Sequence, residues 1–201
     1  CFRVLTISGA MTIAKQGLVV CEMIDRGWVQ AIVATGALMT HGFVEAAGML
    51  HFKHRPSMKD EELFEKGYNR VYDTLELEQN LDDTEKIVSE VLDGLPEGIT
   101  LASHKITEAL GRYLDSHTQH RAILKSAVHE GVPIYIPAFT DSELGLDVAV
   151  YNRRREGKGL ARRPFDPFLD LEHYTDQIRA HETIGIFTIG GGVPRNWAQQ
   201  V

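Results

Sequence analysis

The sequence predicts a Rossmann-like α/β domain, a doubly wound and mostly parallel sheet flanked by helices. Short apolar runs rich in β-branched residues alternate with stretches whose apolar residues recur at helical spacing. The runs are apolar throughout instead of alternating, as strands covered by helices on both faces must be. Each ends in a small or polar turn, the form a strand-to-helix junction takes at the carboxyl edge of such a sheet.

Phe2 to Ile7 is the first strand, and Ser8-Gly9-Ala10 breaks it. Ile13, Gly17, Val20, Cys21 and Ile24 then keep helical spacing, and Gly27 stops that helix in the C′ position. Trp28 to Ala34 reads as a second buried strand, ending in Thr35-Gly36-Ala37. From about 51 to 80 the periodicity is lost among charges and Pro56, which reads as an excursion. Asp82-Asp83-Thr84-Glu85 has the form of a capping box opening a helix that ends near Gly94. Two more helical patterns follow, on Ile106, Leu110 and Leu114 and on Ile123, Ala127 and Val128, the second stopped by Gly131. Val132 to Phe139 is a strand whose two prolines demote its ends, and it stops at Thr140-Asp141. Residues 152 to 167 are basic and turn-rich and read as a loop; His173 to Glu182 reads as a helix. Thr183 to Ile189 is the last strand and runs into Gly190-Gly191-Gly192.

With 201 residues, 43% hydrophobic and 24% charged, the chain has the composition of one globular domain, one that buries roughly 70% of its unfolded surface. Residues 1–201 are expected to be a single domain, incomplete at both ends. No apolar window approaches the length of a membrane span. A net charge of −7 argues against a nucleic-acid partner and suits a cationic ligand. Cys1 and Cys21 are too few for a disulfide framework, and both read as small buried hydrophobes of a reducing cytoplasm.

In an open parallel sheet, ligands bind outside the carboxyl ends of the strands. Ser8-Gly9-Ala10, Thr35-Gly36-Ala37, Thr140-Asp141 and Gly190-Gly191-Gly192 all fall there, and glycine turns let backbone N–H groups approach a phosphate. The spacing G-x-G-x-x-G is absent, so these turns fit either a dinucleotide or plain chain reversal. Asp141 suits ribose hydroxyls or an Asx cap. Glu143 and Asp147 suit an ammonium group or plain solvation. His51 and His54 would approach each other on a helix, but Lys53, Arg55 and Lys59 beside them oppose a cation, and no metal is expected. Arg153-Arg154-Arg155 and Arg162-Arg163 read as a basic surface loop, and Trp197 as packing.

Five segments in order, Ser8-Gly-Ala-Met-Thr12, Thr35-Gly-Ala37, Gly67-Tyr-Asn-Arg70, the run from Gly131 to Gly145, and Gly190-Gly-Gly-Val193, resemble deoxyhypusine synthase and its bacterial look-alikes. The resemblance covers essentially the whole chain. It implies an NAD-dependent homotetramer in which NAD takes hydride from a polyamine, a lysine captures the imine, and an aminobutyl group passes to an acceptor amine. In deoxyhypusine synthase itself the donor is spermidine and the acceptor a lysine of a translation factor. Carried over by position, the NAD contacts fall on Gly9, Ala10, Met11, Thr12, Thr35, Gly36, Ala37, Asp141, Gly190, Gly191 and Gly192.

The polyamine side departs from the family pattern. A pair of acidic residues is replaced by Thr40 and His41, an aspartate falls on Leu146 with Asp147 one step on, and a histidine falls on Asn196. This points to the bacterial synthase-like proteins, some of them similar to homospermidine synthases using diamines, and His41, Glu143, Asp147 and Asn196 are the expected amine lining. The imine-forming lysine is expected beyond Val201, so no catalytic residue is assigned. The expected function is an aminoalkyl transfer from a di- or polyamine. The alternatives are a true deoxyhypusine synthase and a non-catalytic NAD-binding module.

Overall fold

A computed structural model describes residues 1–201. Strand β1 (Phe2–Ile7) leads to α1 (Gly17–Asp25), β2 (Ala31–Ala34) and α2 (Gly36–Ala46). Next come β3 (His51–Lys53), α3 (Asp60–Glu65), β4 (Tyr68–Val71) and β5 (Thr74–Leu77). Helices α4 (Glu78–Asp93), α5 (Ser103–His117) and α6 (Ile123–Glu130) precede β6 (Ile134–Tyr135). Then α7 (Glu143–Gly157), α8 (Phe168–Arg179), β7 (Ile184–Ile189) and α9 (Gly192–Ala198) complete the order.

The main sheet is wholly parallel, in the order β6-β2-β1-β7, with Val4 beside Ala31 and Ile186. Its two faces are covered separately. Leu5, Ile7, Ile32 and Ala34 pack with residues of α1, α2 and α4 to α7, while Phe2, Val4, Ala31, Val33 and Tyr135 meet α8 and α9 through Tyr174 and Ala198. The expected doubly wound fold is therefore present. Each fully buried Leu or Ile of this kind contributes ~1.5–3 kcal/mol, so the strands are held chiefly by their helices. Gly27 and Gly131 end α1 and α6 with φ of +64° and +65°, in the left-handed region that favours glycine.

Several expectations are corrected. The excursion after residue 50 is a separate antiparallel sheet, β3-β5-β4, with His51 opposite Glu76. Helix α4 starts at Glu78, a turn before the supposed capping box. Its buried stripe is Asn80, Thr84, Val88 and Leu92, and the two polar members hide the first half of the helical period. The basic loop is also displaced, because α7 runs to Gly157 and buries Asp147, Asn152 and Arg155 on a face that reads as polar. Arg155 donates to Glu97 at 3.0 Å and Arg163 to the carbonyls of Pro96 and Leu95 at 2.7 and 2.9 Å. Two of the five arginines thus serve as buried clasps on the segment after α4, with Arg163 only 2% exposed. Helix α8 begins at Phe168, five residues early, where Asp166 accepts from the Phe168 N–H at 2.9 Å. Cys21 is buried as expected, but Cys1 is exposed, because the ladder begins only at Phe2, whose N–H bonds to Thr183.

Candidate functional site

The carboxyl ends of the four parallel strands share one edge, and short contacts join their turns into a continuous rim. The Ser8 N–H donates to Ile189 O at 3.0 Å, and the Ser8 hydroxyl donates to Gly191 O. The Thr35 hydroxyl donates to Gly9 O at 2.6 Å and accepts from the Leu38 N–H at 3.3 Å, capping α2. A Cβ at Gly36 would collide with Ser142, so the turns after β2 and β6 touch as well. From β1 the chain leaves for α1 on one face, and from β7 for α9 on the other. The winding therefore reverses between β1 and β7, where an α/β sheet opens a crevice.

The rim is bare backbone. Gly9, Gly190 and Gly192 have φ of +68°, +84° and +66°, and a Cβ built at Gly9, Gly191 or Gly192 would meet nothing within 4 Å. Ala10, Met11 and Ala37 are half-buried behind it. Thr12 is buried and donates to Leu38 O at 2.9 Å, so its side chain holds the rim from beneath. Ser142, not Asp141, caps α7, accepting from the Gly145 N–H at 3.3 Å; Asp141 is exposed and its carboxylate bonds to nothing in the chain.

Directly behind Ser142 lies a cluster of carboxylates from β5, α4 and α7, with His41 of α2 among them. Asp147 is 2% exposed and its Oδ2 has no hydrogen-bond partner. Burial, reinforced by Glu143 and Glu85, pushes it up to about 7. Glu143 is raised too, by burial and by Glu78 and Glu76, against a lowering by His41. Burial works in the same direction on Glu76, but there His41 and His51 outweigh it and draw the carboxyl down to about 2. Glu85 is held by Arg154 at 2.8 Å. Asp147 and Glu143 are left without a basic partner.

The family model described as "DS: Deoxyhypusine synthase" matches residues 1–201. The chain belongs to the deoxyhypusine synthase family. A protein named probable deoxyhypusine synthase 1 from Methanosarcina mazei is 34% identical over 194 residues, which cover 96% of this chain and 58% of that protein. A deoxyhypusine synthase-like protein from Caulobacter vibrioides is 30% identical, covering 99% of this chain and 55% of its own length. The chain thus spans a little over half of the curated relatives it matches. A solved structure assigned as a deoxyhypusine synthase, from Entamoeba histolytica, superposes with a TM-score of 0.70 at 16% identity, over 96% of this chain and 58% of that one. That likeness shows the fold.

Against the deoxyhypusine synthase pattern, the shift from Leu146 to Asp147 has a simple geometry. Leu146 points outward, 54% exposed, and Asp147 is the residue that α7 turns inward, toward the carboxylate cluster. Thr40 is buried and donates to Gly36 O at 3.1 Å, while His41 faces Glu76. His41, Glu143 and Asp147 are thereby brought together. Asn196 is not among them; it sits exposed on α9, across the sheet, beside Trp197, which packs on Tyr135 and Tyr174.

Sequence reasoning missed Glu76 and Glu45, and it paired His51 with His54 instead of with Glu76. Only the β3–β5 register places His51 beside Glu76, and neither residue stands in a periodic stretch. His54 turns away to Met58 O at 3.4 Å.

Proposed function

We propose that this chain carries the NAD-binding part of an NAD-dependent aminoalkyl transferase acting on a di- or polyamine. The observation that supports it most is the contact of Gly36 with Ser142, which sets a bare glycine rim beside the buried, unpartnered Asp147 and the half-buried Glu143. The rim suits a dinucleotide. Gly9, Gly191 and Gly192 would admit a pyrophosphate to the backbone, and the unengaged Asp141 would take ribose hydroxyls. Bound there, NAD would accept a hydride from the amine. The pocket suits an ammonium group, whose charge would offset the cost of keeping Asp147 dry. A carboxyl titrating near neutrality is also placed to take a proton from that ammonium before the carbon beside it is oxidised.

Deoxyhypusine synthase proper is the second reading, favoured by the names of the archaeal relatives. A homotetramer belongs to the same proposal, and exposed Leu18 and Val19 on α1 with Ile186 and Phe187 on β7 supply apolar surface for it. No helix is long and apolar enough to cross a membrane.

Calorimetry of the chain with NAD, followed by mass spectrometry of the full-length protein with NAD and putrescine, spermidine or agmatine, tests the reading. NAD binding and a new polyamine product are expected. NAD binding without consumption of any amine would leave a nucleotide-binding module, and no NAD binding would end the proposal.

A further inference from the structure

We propose that His41, His51 and Glu76 form a site for a borderline divalent transition ion, Zn²⁺ foremost. The site shares His41 with the amine lining of the proposed function but does not rest on that reading. It joins α2 to the small sheet, with His41 from the helix and the register pair His51 and Glu76 from β3 and β5.

Geometry carries the inference. His41 Nδ1 lies 3.0 Å from Glu76 Oε2, His51 Nε2 lies 3.4 Å from Glu76 Oε1, and one donor atom from each residue falls within 4.8 Å of the others. Ligands held at ~2.0–2.1 Å in a tetrahedron stand roughly 3.3 Å apart, and the two measured separations, each to a different oxygen of Glu76, are of that length, so the carboxylate stands between the two rings. The same atoms are poor hydrogen-bond partners for each other. His41 Nδ1, His51 Nε2 and Glu76 Oε1 are all buried and none makes an aligned bond, although each has a polar neighbour close by. Groups that converge on a point without bonding one another are arranged as ligands are.

The surroundings support this. Glu45 Oε1 lies 2.9 Å from His51 Nδ1, and Lys15 in turn pairs with Glu45. A carboxylate only accepts, so the Nδ1–H of His51 donates to Glu45 and fixes the ring with Nε2 on the Glu76 side. This is the carboxylate–histidine arrangement that orients metal ligands. Lys53, Arg55 and Lys59, which oppose a cation when His51 and His54 are read as a helical pair, are all exposed here. Two imidazoles and one carboxylate are a borderline donor set suited to Zn²⁺ or Co²⁺, and three protein ligands leave a position open.

The test is titration of the chelator-stripped chain with Co²⁺, read by visible d–d absorption, with Zn²⁺ competition and thermal melts alongside. Binding of one equivalent, displaced by Zn²⁺ and accompanied by a rise in Tm, is expected. His51→Gln and Glu76→Gln should each weaken binding at least tenfold, and Glu45→Gln by less. Should either ligand variant fail to fold by circular dichroism, the half-exposed His41→Gln decides in its place. Absence of stoichiometric binding, or binding unchanged in a folded ligand variant, would overturn the proposal and leave an ion-pair network between histidines and a glutamate.

Discussion

The glycine rim and the carboxylate pocket touch at Gly36 and Ser142, yet they are built by opposite means. The rim is backbone, shaped by positive φ values and open space, and it holds almost no charge of its own. The carboxylate cluster is side chain, made of buried carboxyls whose charge states are displaced in both directions. Recognition through backbone costs a fold little. Recognition through buried charge lowers stability wherever the charge lacks a partner, and that asymmetry is open to experiment.

The largest effect is expected from Glu76→Gln. Removing one member of a buried charge cluster destabilises by about 3 kcal/mol, and denaturant melts should show the sign across pH. Because folding lowers the carboxyl from its ordinary 4.5 to about 2, its contribution is complete above about 4.5 and disappears as pH falls toward 2. Wild type and variant should therefore converge in acid. A gap that persists at pH 2 would contradict the ion-pair account.

Gly145→Ala comes next, at about 2 kcal/mol, since its Cβ would press on the backbone of Phe139 and Thr140 where the turn after β6 meets α7. Unchanged stability in a urea melt would show that this junction yields.

Asp147→Asn should act in the other direction, raising stability by about 1–2 kcal/mol at pH 8. Folding raises this carboxyl to about 7, so wild-type stability from this group is fully present below about 4 and is lost as pH climbs through 7. The variant's advantage should grow over that interval and vanish at pH 4. A constant difference would point to packing instead of charge.

The smallest change in stability belongs to the rim. Gly191→Ala should move it by less than about 0.5 kcal/mol, because nothing stands near the added methyl, while weakening NAD binding at least tenfold by calorimetry. A variant that binds NAD as well as wild type would remove Gly191 from the proposed site.

The same asymmetry governs what could be read from the sequence. Parallel strands, the glycine stops of α1 and α6, and the turns that meet at the rim are local patterns of residue type and lie in the expected order, although β6 keeps only Ile134 and Tyr135 of the run from Val132 to Phe139, whose two prolines cannot donate to a ladder. The pocket's elements run against such patterns. Asn80 and Thr84 interrupt the apolar stripe of α4, and Asp147, Asn152 and Arg155 make the buried face of α7 look solvated. His51 and Glu76 meet only through a strand register that no local period announces. Buried polar residues that find partners far along the chain are invisible to rules equating burial with apolarity.

The three-stranded sheet of β3, β4 and β5 pairs only with itself and is spliced between α2 and α4, outside the parallel ladder. Residues 51 to 77 therefore form a unit of backbone pairing set apart from the main sheet and tied to α2 through side chains. Swapping this stretch for its counterpart in a relative replaces His51 and Glu76 together without unpicking any strand of the main sheet. The chemistry beside α2 can thus change while the parallel frame keeps its pairing.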